Sequence, residues 1–95
     1  MITSKQRAAL RAQSNGMETI FQIGKGGVSD TLIQQVNDAL QAREMIKLRV
    51  LENAPVFARE AAQQLAQECG AEIVQVIGSR FILFKRNPKK PIYAL

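Results

Sequence analysis

The fold of this chain depends on residues 19–30, which read TIFQIGKGGVSD. The apolar run from Thr19 to Ile23 predicts a β-strand, and Ser29-Asp30 is typical of a helix start. The glycine-rich segment between them, residues 24–27, is therefore predicted to join a strand to the N-terminus of a helix. Such a loop brings backbone N–H groups close to a ligand, while the helix dipole and Lys25 add positive charge. This pattern favours binding of a phosphate.

Apolar periodicity and capping residues predict the other elements. Helices are expected at about 3–13, 29–43 and 53–70, and strands at 19–23, 44–51, 72–77 and 80–85. Asn53-Ala54-Pro55 is expected to open the third helix, whose buried face would include Phe57 and Cys69, and Gly78-Ser79 predicts a tight hairpin. The fold class is therefore α/β, in the order α-β-α-β-α-β-β. Strand–helix–strand units need parallel neighbours and the last hairpin is antiparallel, so the sheet is predicted to be small, mixed and four-stranded, with three helices.

Ninety-five residues predict one domain spanning 1–95. Residues 87–95 begin with Asn-Pro-Lys-Lys-Pro, which cannot pair at the centre of a sheet, so we expect an exposed tail there. The sequence contains neither a membrane-spanning apolar run nor a signal peptide. The single cysteine, Cys69, cannot form an internal disulfide, and we expect it to pack inertly in the core. A monomeric cytoplasmic protein that does not bind membranes fits these features.

Positive charge is concentrated at both ends of the chain. Residues 1–17 and 73–95 contain no acidic residue and carry net charges of +3 and +5, whereas residues 18–72 carry −3. A basic end is often only a solubilising tail. Two acid-free ends in one small domain favour a polyanionic partner instead.

The sequence contains few residues that are suited to catalysis. The chain has no histidine, one cysteine and scattered acidic residues, so we expect no catalytic residues, no metal site, no cofactor and no small-molecule substrate. The glycine-rich loop is similar to the start of a nucleotide-binding P-loop, but a P-loop continues with Lys and then Ser or Thr, whereas this chain continues with Ser29-Asp30-Thr31. Two interpretations remain. The loop is a plain structural turn, or it is a Gly-x-x-Gly clamp for an RNA backbone of the kind used by KH modules.

Several segments, taken in their order and spacing, carry a resemblance to a known family. They are Leu10-Arg11-Ala12, Ile23 to Val28, Ala39-Leu40, Glu44 to Val50, Gly70-Ala71, Val74 to Gly78 and Phe81 to Lys85. Over nearly its whole length the chain resembles the bacterial YhbY-type proteins, which consist of a single CRM domain (chloroplast RNA splicing and ribosome maturation). The resemblance implies a fold like the C-terminal domain of translation initiation factor three, with a KH-like GxxG loop. It also implies an RNA-binding protein that associates with large-subunit ribosomal RNA precursors and assists ribosome assembly.

The expected RNA contacts are the loop residues and basic residues on the strands: Gly24, Lys25, Gly26, Gly27, Lys47, Arg49, Arg80, Lys85 and Arg86. Lys47 and Arg49 alternate with apolar neighbours, so they project from the polar face of their strand. Either that face is open or their long side chains reach its rim, and an ordinary solvated face remains the alternative. The few aromatic residues are expected mostly in the core, which favours recognition of RNA backbone and shape over base stacking. The rival function is a protein-interaction adaptor that docks on a ribosomal protein.

Overall fold

The computed structural model describes residues 2–95. Its elements are α1 (Ser4–Gln13), β1 (Thr19–Ile23), α2 (Asp30–Arg43), β2 (Met45–Val50), α3 (Ala58–Cys69), β3 (Glu72–Ile77) and β4 (Arg80–Phe84). The predicted order of elements is confirmed. Within these residues, no helix is both long and apolar enough to cross a bilayer.

The four strands form one mixed sheet in the order β1-β2-β4-β3. β1 and β2 are parallel, whereas β4 runs antiparallel to both β2 and β3. The predicted mixed sheet is therefore confirmed. This arrangement brings the C-terminal ends of β1, β2 and β3 to the same edge as the N-terminal end of β4.

The sheet is covered differently on its two faces. α2 and α3 pack over one face, where Ile46, Leu48 and Phe81 belong to the larger apolar core. α1 packs over part of the other face, where Leu10 contacts a smaller core that contains Met45 and Phe84. Because strand residues alternate between faces, Lys47 and Arg49 lie on the same face as Met45. The helix α1 therefore leaves part of this second face accessible.

The helix starts show where local sequence controls the backbone. The Ser29 hydroxyl accepts a hydrogen bond from the Leu32 amide at 3.1 Å, which caps α2 as predicted. The expected start of α3 at residues 53–55 was wrong, because α3 begins at Ala58 and Phe57 is its N-cap residue. The expected burial of Phe57 was also wrong, because 80% of this residue is exposed. Cys69 is buried as expected, and its burial raises the pKa of the thiol.

Glu44 links the end of α2 to the C-terminal segment. It is fully buried and has a φ of 63°, a positive value that is costly for a residue with a side chain. Its carboxylate accepts hydrogen bonds from the amides of Asn87 (2.6 Å), Ile92 (2.6 Å) and Tyr93 (3.1 Å). Arg86 lies 3.7 Å from the same carboxylate. These donors compensate for the burial of a charge and for the unusual backbone conformation.

The C-terminal residues are exposed along most of their length but anchored at defined points. Besides the bonds to Glu44, the backbone of Ala94 exchanges two hydrogen bonds with the Gln13 side chain, at 2.7 and 3.2 Å. Lys89 and Lys90 are exposed between these anchors. The segment therefore follows the surface from the end of β4 to the end of α1.

The Glu44→Gln variant tests this anchor. We expect it to lose about 2 kcal/mol of unfolding free energy, because charge-assisted hydrogen bonds to three backbone donors are replaced by weaker ones. Urea denaturation checks this value, and the exposed Glu18→Gln is the matched control. A Glu44→Gln protein as stable as the control would contradict the role assigned to the carboxylate.

The same anchor predicts a pH dependence. Burial alone would raise the pKa of Glu44, but the three backbone donors and Arg86 outweigh it and hold the pKa below the ordinary value of 4.5. A carboxyl with a lowered folded-state pKa stabilises the fold fully above the ordinary value, and this contribution is lost as pH falls through the lowered one. The stability difference between the native protein and Glu44→Gln should therefore be constant near neutral pH and shrink below pH 4.5. A difference that grows on acidification would contradict this sign.

Candidate nucleic-acid interface

Three loops meet at one edge of the sheet, which we call the loop edge: residues 24–29, 51–57 and 78–79. The Leu51 amide donates to the Ile23 carbonyl at 2.9 Å, so the ends of β1 and β2 are joined there. The Val50 amide donates to the Ser79 carbonyl at 2.7 Å, which adds the β3–β4 turn. The glycine-rich loop is therefore held beside the loop at residues 51–57, which in turn lies beside the β3–β4 turn.

The glycines of the loop have different structural requirements. The Gly27 amide donates to the Gly24 carbonyl at 2.9 Å, which closes a tight turn. Gly27 has a φ of +64°, and a Cβ atom there would lie 3.0 Å from Pro55 Cγ. Gly26 has open space around it, and a Cβ on Gly24 would make only ordinary contacts with Leu51 and Asn53. The turn itself thus requires Gly27, whereas Gly26 has no structural need to be glycine.

The loop exposes backbone donors next to positive charge. Within residues 2–95, no protein acceptor is found for the amides of Lys25 and Gly26, and both residues are exposed. The Gly27 amide is used inside the turn, so the donors available to a ligand are fewer than the four glycine-rich residues alone indicate. The N-terminus of the 14-residue α2 lies directly behind the loop and adds its dipole. Asp30, also exposed, is the one acidic residue in the first turn of α2.

Arg49 and Arg80 form a pair of like charges at the same edge. They are directly opposite each other in the β2–β4 register, and both are exposed. Directly opposed residues have Cβ atoms about 5 Å apart, and like charges at this spacing destabilise a sheet. Neither guanidinium is paired with a carboxylate in the part of the chain that the structure describes. An anion bound between them would relieve this repulsion.

A shallow cleft extends the basic surface across the accessible part of the sheet. It has a volume of about 230 Å³, and its lining includes Lys47, Arg80, Gln75 and the Asn15-Gly16 turn. The Lys47 ammonium donates a hydrogen bond to the Met17 carbonyl at 3.4 Å, and Lys47 is half-buried. The strand face was expected either to be open or to have side chains that reach its rim, and the structure has elements of both. Arg49 lies on an open part of the face, and the Lys47 side chain reaches the rim beside α1.

The two remaining predicted contacts, Lys85 and Arg86, lie at the opposite edge of the sheet. They follow the C-terminal end of β4, roughly 17 Å along the strand from Arg80. Lys85 donates to the Asn37 side chain at 3.4 Å, and Arg86 contacts Glu44 and donates to the Tyr93 carbonyl at 2.6 Å. The structure therefore does not bring these two residues together with the loop.

The chain is similar to known proteins in sequence and in fold. The family model of the CRS1/YhbY (CRM) domain matches residues 2–85. The chain belongs to this family. It is 40% identical over 87 residues to the probable RNA-binding protein YqeI of Bacillus subtilis, an alignment that covers 92% of this CRM domain chain and 91% of the relative.

Two further similarities extend the comparison. The probable RNA-binding protein MJ0652 of Methanocaldococcus jannaschii is 35% identical in an alignment 103 positions long. This alignment covers 96% of this chain and 76% of the relative. The solution structure of the protein SAV1595 from Staphylococcus aureus matches with a TM-score of 0.78 and 38% identity, covering 99% of this chain and all of the other. The fold of this CRM domain is therefore shared with a solved structure over 99% of the chain.

Sequence reasoning missed some residues of this surface. Pro55 lies beside Gly27, and Asn15 and Gln75 line the basic cleft. Pro55 was interpreted from the sequence only as part of a helix-start signal, because its neighbour Gly27 is distant in the chain. The register that places Arg49 opposite Arg80 had a partial signal, since Arg49 lies near the end of the predicted strand 44–51 and Arg80 begins the predicted strand 80–85.

The loop geometry predicts unequal tolerance of its glycines. Gly27→Ala should destabilise the protein by about 1–3 kcal/mol, because a side chain at positive φ is strained and its Cβ would press on Pro55. Gly26→Ala should change stability by less than about 1 kcal/mol. Thermal unfolding of the two variants measures the contrast. Equal stability of the two variants would show that the turn does not hold Gly27 as described.

Proposed function

We propose that this CRM domain binds RNA by clamping its backbone at the loop edge. The contacts are the amides and side chain of residues 24–27, with Lys47, Arg49 and Arg80 continuing the same surface. The proposed target is ribosomal RNA of the large-subunit precursor, and the proposed role is to assist ribosome assembly in the cytoplasm. The protein acts as a monomer and without catalysis.

One observation carries the proposal: free loop amides and an unpaired Arg49–Arg80 pair lie at the same edge of one sheet within the described residues 2–95. Each feature alone has a structural explanation. Together they offer amide donors and two cations to the phosphates of one strand, and the helix dipole of α2 adds to the attraction. Arginine is suited to this position because its planar guanidinium binds phosphate through two hydrogen bonds.

The names of two relatives support RNA as the partner. YqeI and MJ0652 are both named probable RNA-binding proteins. The step from RNA to the large-subunit precursor rests on the family resemblance of the whole chain. Lys85 and Arg86, at the opposite edge, contribute long-range attraction in this proposal and do not touch the clamped strand.

The target is tested by crosslinking in cells followed by sequencing of the attached RNA. We expect large-subunit precursor RNA, enriched in fractions that sediment before the mature subunit. Ribonuclease digestion should release the protein from these particles. Retention after digestion would favour the rival adaptor that docks on a ribosomal protein.

Gly26→Asp tests the loop without disturbing the turn. Open space at Gly26 and a backbone outside the left-handed region let the variant fold, while its carboxylate repels a phosphate held by the neighbouring amides. We expect RNA affinity to fall by roughly tenfold or more, which corresponds to one charge-assisted hydrogen bond. Gly26→Ala should bind like the native protein. Fluorescence anisotropy with labelled RNA measures the affinity, and native binding by a folded Gly26→Asp variant would remove the loop from the interface.

The salt dependence of binding tests the arginine pair. Removing one cation that binds a phosphate lowers the slope of log affinity against log salt concentration by about one. Arg49→Gln and Arg80→Gln should each weaken binding and lower this slope, while stability is maintained because like charges no longer face each other. The control is the exposed Arg43→Gln, at the far end of α2. Equal slopes for all three variants would contradict a specific role of the pair.

A further inference from the structure

Phe57 occupies a position that the fold does not explain. It is the N-cap residue of α3, yet its side chain makes no capping hydrogen bond. Ser, Thr, Asp and Asn are the residues that stabilise this position. At 80% exposure, Phe57 also contributes little to the core. A large aromatic residue that neither caps the helix nor packs inside points to a contact outside the chain.

The surroundings of Phe57 connect it to the phosphate clamp. Phe57 lines a cleft of about 670 Å³ at the loop edge, between residues 50–59 and the β3–β4 turn. Pro55, in the same cleft, is the residue that Gly27 abuts. Two residues of extended chain span at most roughly 7 Å, so the Phe57 backbone lies within that distance of Pro55, the neighbour of Gly27.

The charges in the cleft favour a base over a second phosphate. Arg59 and Glu52 both line it, so its charged residues balance. Glu60 accepts the hydrogen bond of the Phe57 amide at 3.1 Å and adds negative charge nearby. A phosphate gains nothing from this environment, whereas the uncharged face of a nucleobase stacks on an aromatic ring irrespective of sequence.

We infer that Phe57 is a stacking platform for one unpaired nucleobase of the RNA strand whose phosphate is held by the loop at residues 24–27. This inference rests on the proposed function and adds to it a requirement for a single-stranded nucleotide. It also departs from the expectation that recognition relies on RNA backbone and shape rather than on base stacking. Backbone clamping and one stacked base then act on neighbouring parts of the same nucleotide strand.

Removal of the Phe57 ring distinguishes base stacking from a purely structural role of this residue. F57A should weaken binding to an RNA hairpin with an unpaired loop by roughly 5- to 100-fold, the usual effect of removing one base–aromatic stack. F57S should weaken binding similarly while raising the melting temperature by about 4 °C, because serine supplies the missing helix cap. F57Y, which retains the ring, should bind like the native protein. A structural role would lower stability and binding together, so that result would overturn the inference.

A fluorescent reporter distinguishes stacking from phosphate binding. The chain has no tryptophan, so F57W introduces a single one, and I92W at the opposite edge of the sheet is its matched control. We expect the hairpin to quench F57W and leave I92W unchanged. A hairpin with abasic loop nucleotides should bind more weakly and quench neither variant.

The outcomes separate the inference from the proposed function. Native RNA affinity of F57A together with an unquenched F57W overturns the stacking platform and leaves the phosphate clamp standing. Absence of hairpin binding by the native protein overturns both. A blue shift of F57W emission that depends on protein concentration, without RNA, would assign the cleft to a second copy of the chain and also overturn the inference.

Discussion

The parallel pairing of β1 with β2 determines where the proposed interface lies. Parallel neighbours cannot be joined by a hairpin, so the chain must return through a crossover, which here is α2. The crossover begins where β1 ends, and the glycine-rich loop is that junction. Because β2 ends at the same edge, the loop at residues 51–57 is brought against it, and Pro55 comes to lie beside Gly27. The positions of the proposed phosphate clamp and of Phe57 thus follow from one strand pairing.

Particular arginines are partnered differently at the two edges of the sheet. At the loop edge, Arg49 and Arg80 face each other without a carboxylate partner within residues 2–95, and the fold retains this repulsion. At the opposite edge, Glu44 is satisfied by three backbone donors and by Arg86, and it anchors the C-terminal segment. Arg86 is thus paired with a carboxylate at one edge, whereas Arg49 and Arg80 have no such partner among the described residues at the other. Net charge alone does not reveal this difference.

The elements were predictable because their signals are local. Alternation marked β2, Ser29 marked the start of α2 and Gly70 marked the end of α3, each within a few residues of the feature it controls. Phe57 was misassigned because residues 57, 61 and 65 have the spacing of one helical face. The helix begins only at Ala58, and the extended backbone of Phe57 removes its side chain from that face. The start of a helix was therefore the point at which periodicity failed.

The candidate site was only partly predictable because it combines distant residues. The loop residues 24–27 are contiguous and were found directly. The register of Arg49 with Arg80 and the partners of Glu44, 43 to 49 residues away, depend on tertiary packing. The sequence also grouped Lys85 and Arg86 with the other basic residues, although the length of β4 separates them from the loop. The residue types alone indicated a polyanionic partner, whereas the positions of these residues on the sheet could be read only from the structure.

The central claim is that the loop edge contacts RNA, and it can be tested residue by residue. At 10.5 kDa the protein suits nuclear magnetic resonance, in which amide signals are followed as RNA is added to the ¹⁵N-labelled chain. The account predicts that the amides of Lys25, Gly26, Arg49 and Arg80 shift together, while those of Arg43 and Arg86 at the opposite edge stay unchanged. Shifts confined to the opposite edge, with the loop amides unmoved at saturating RNA, would contradict it.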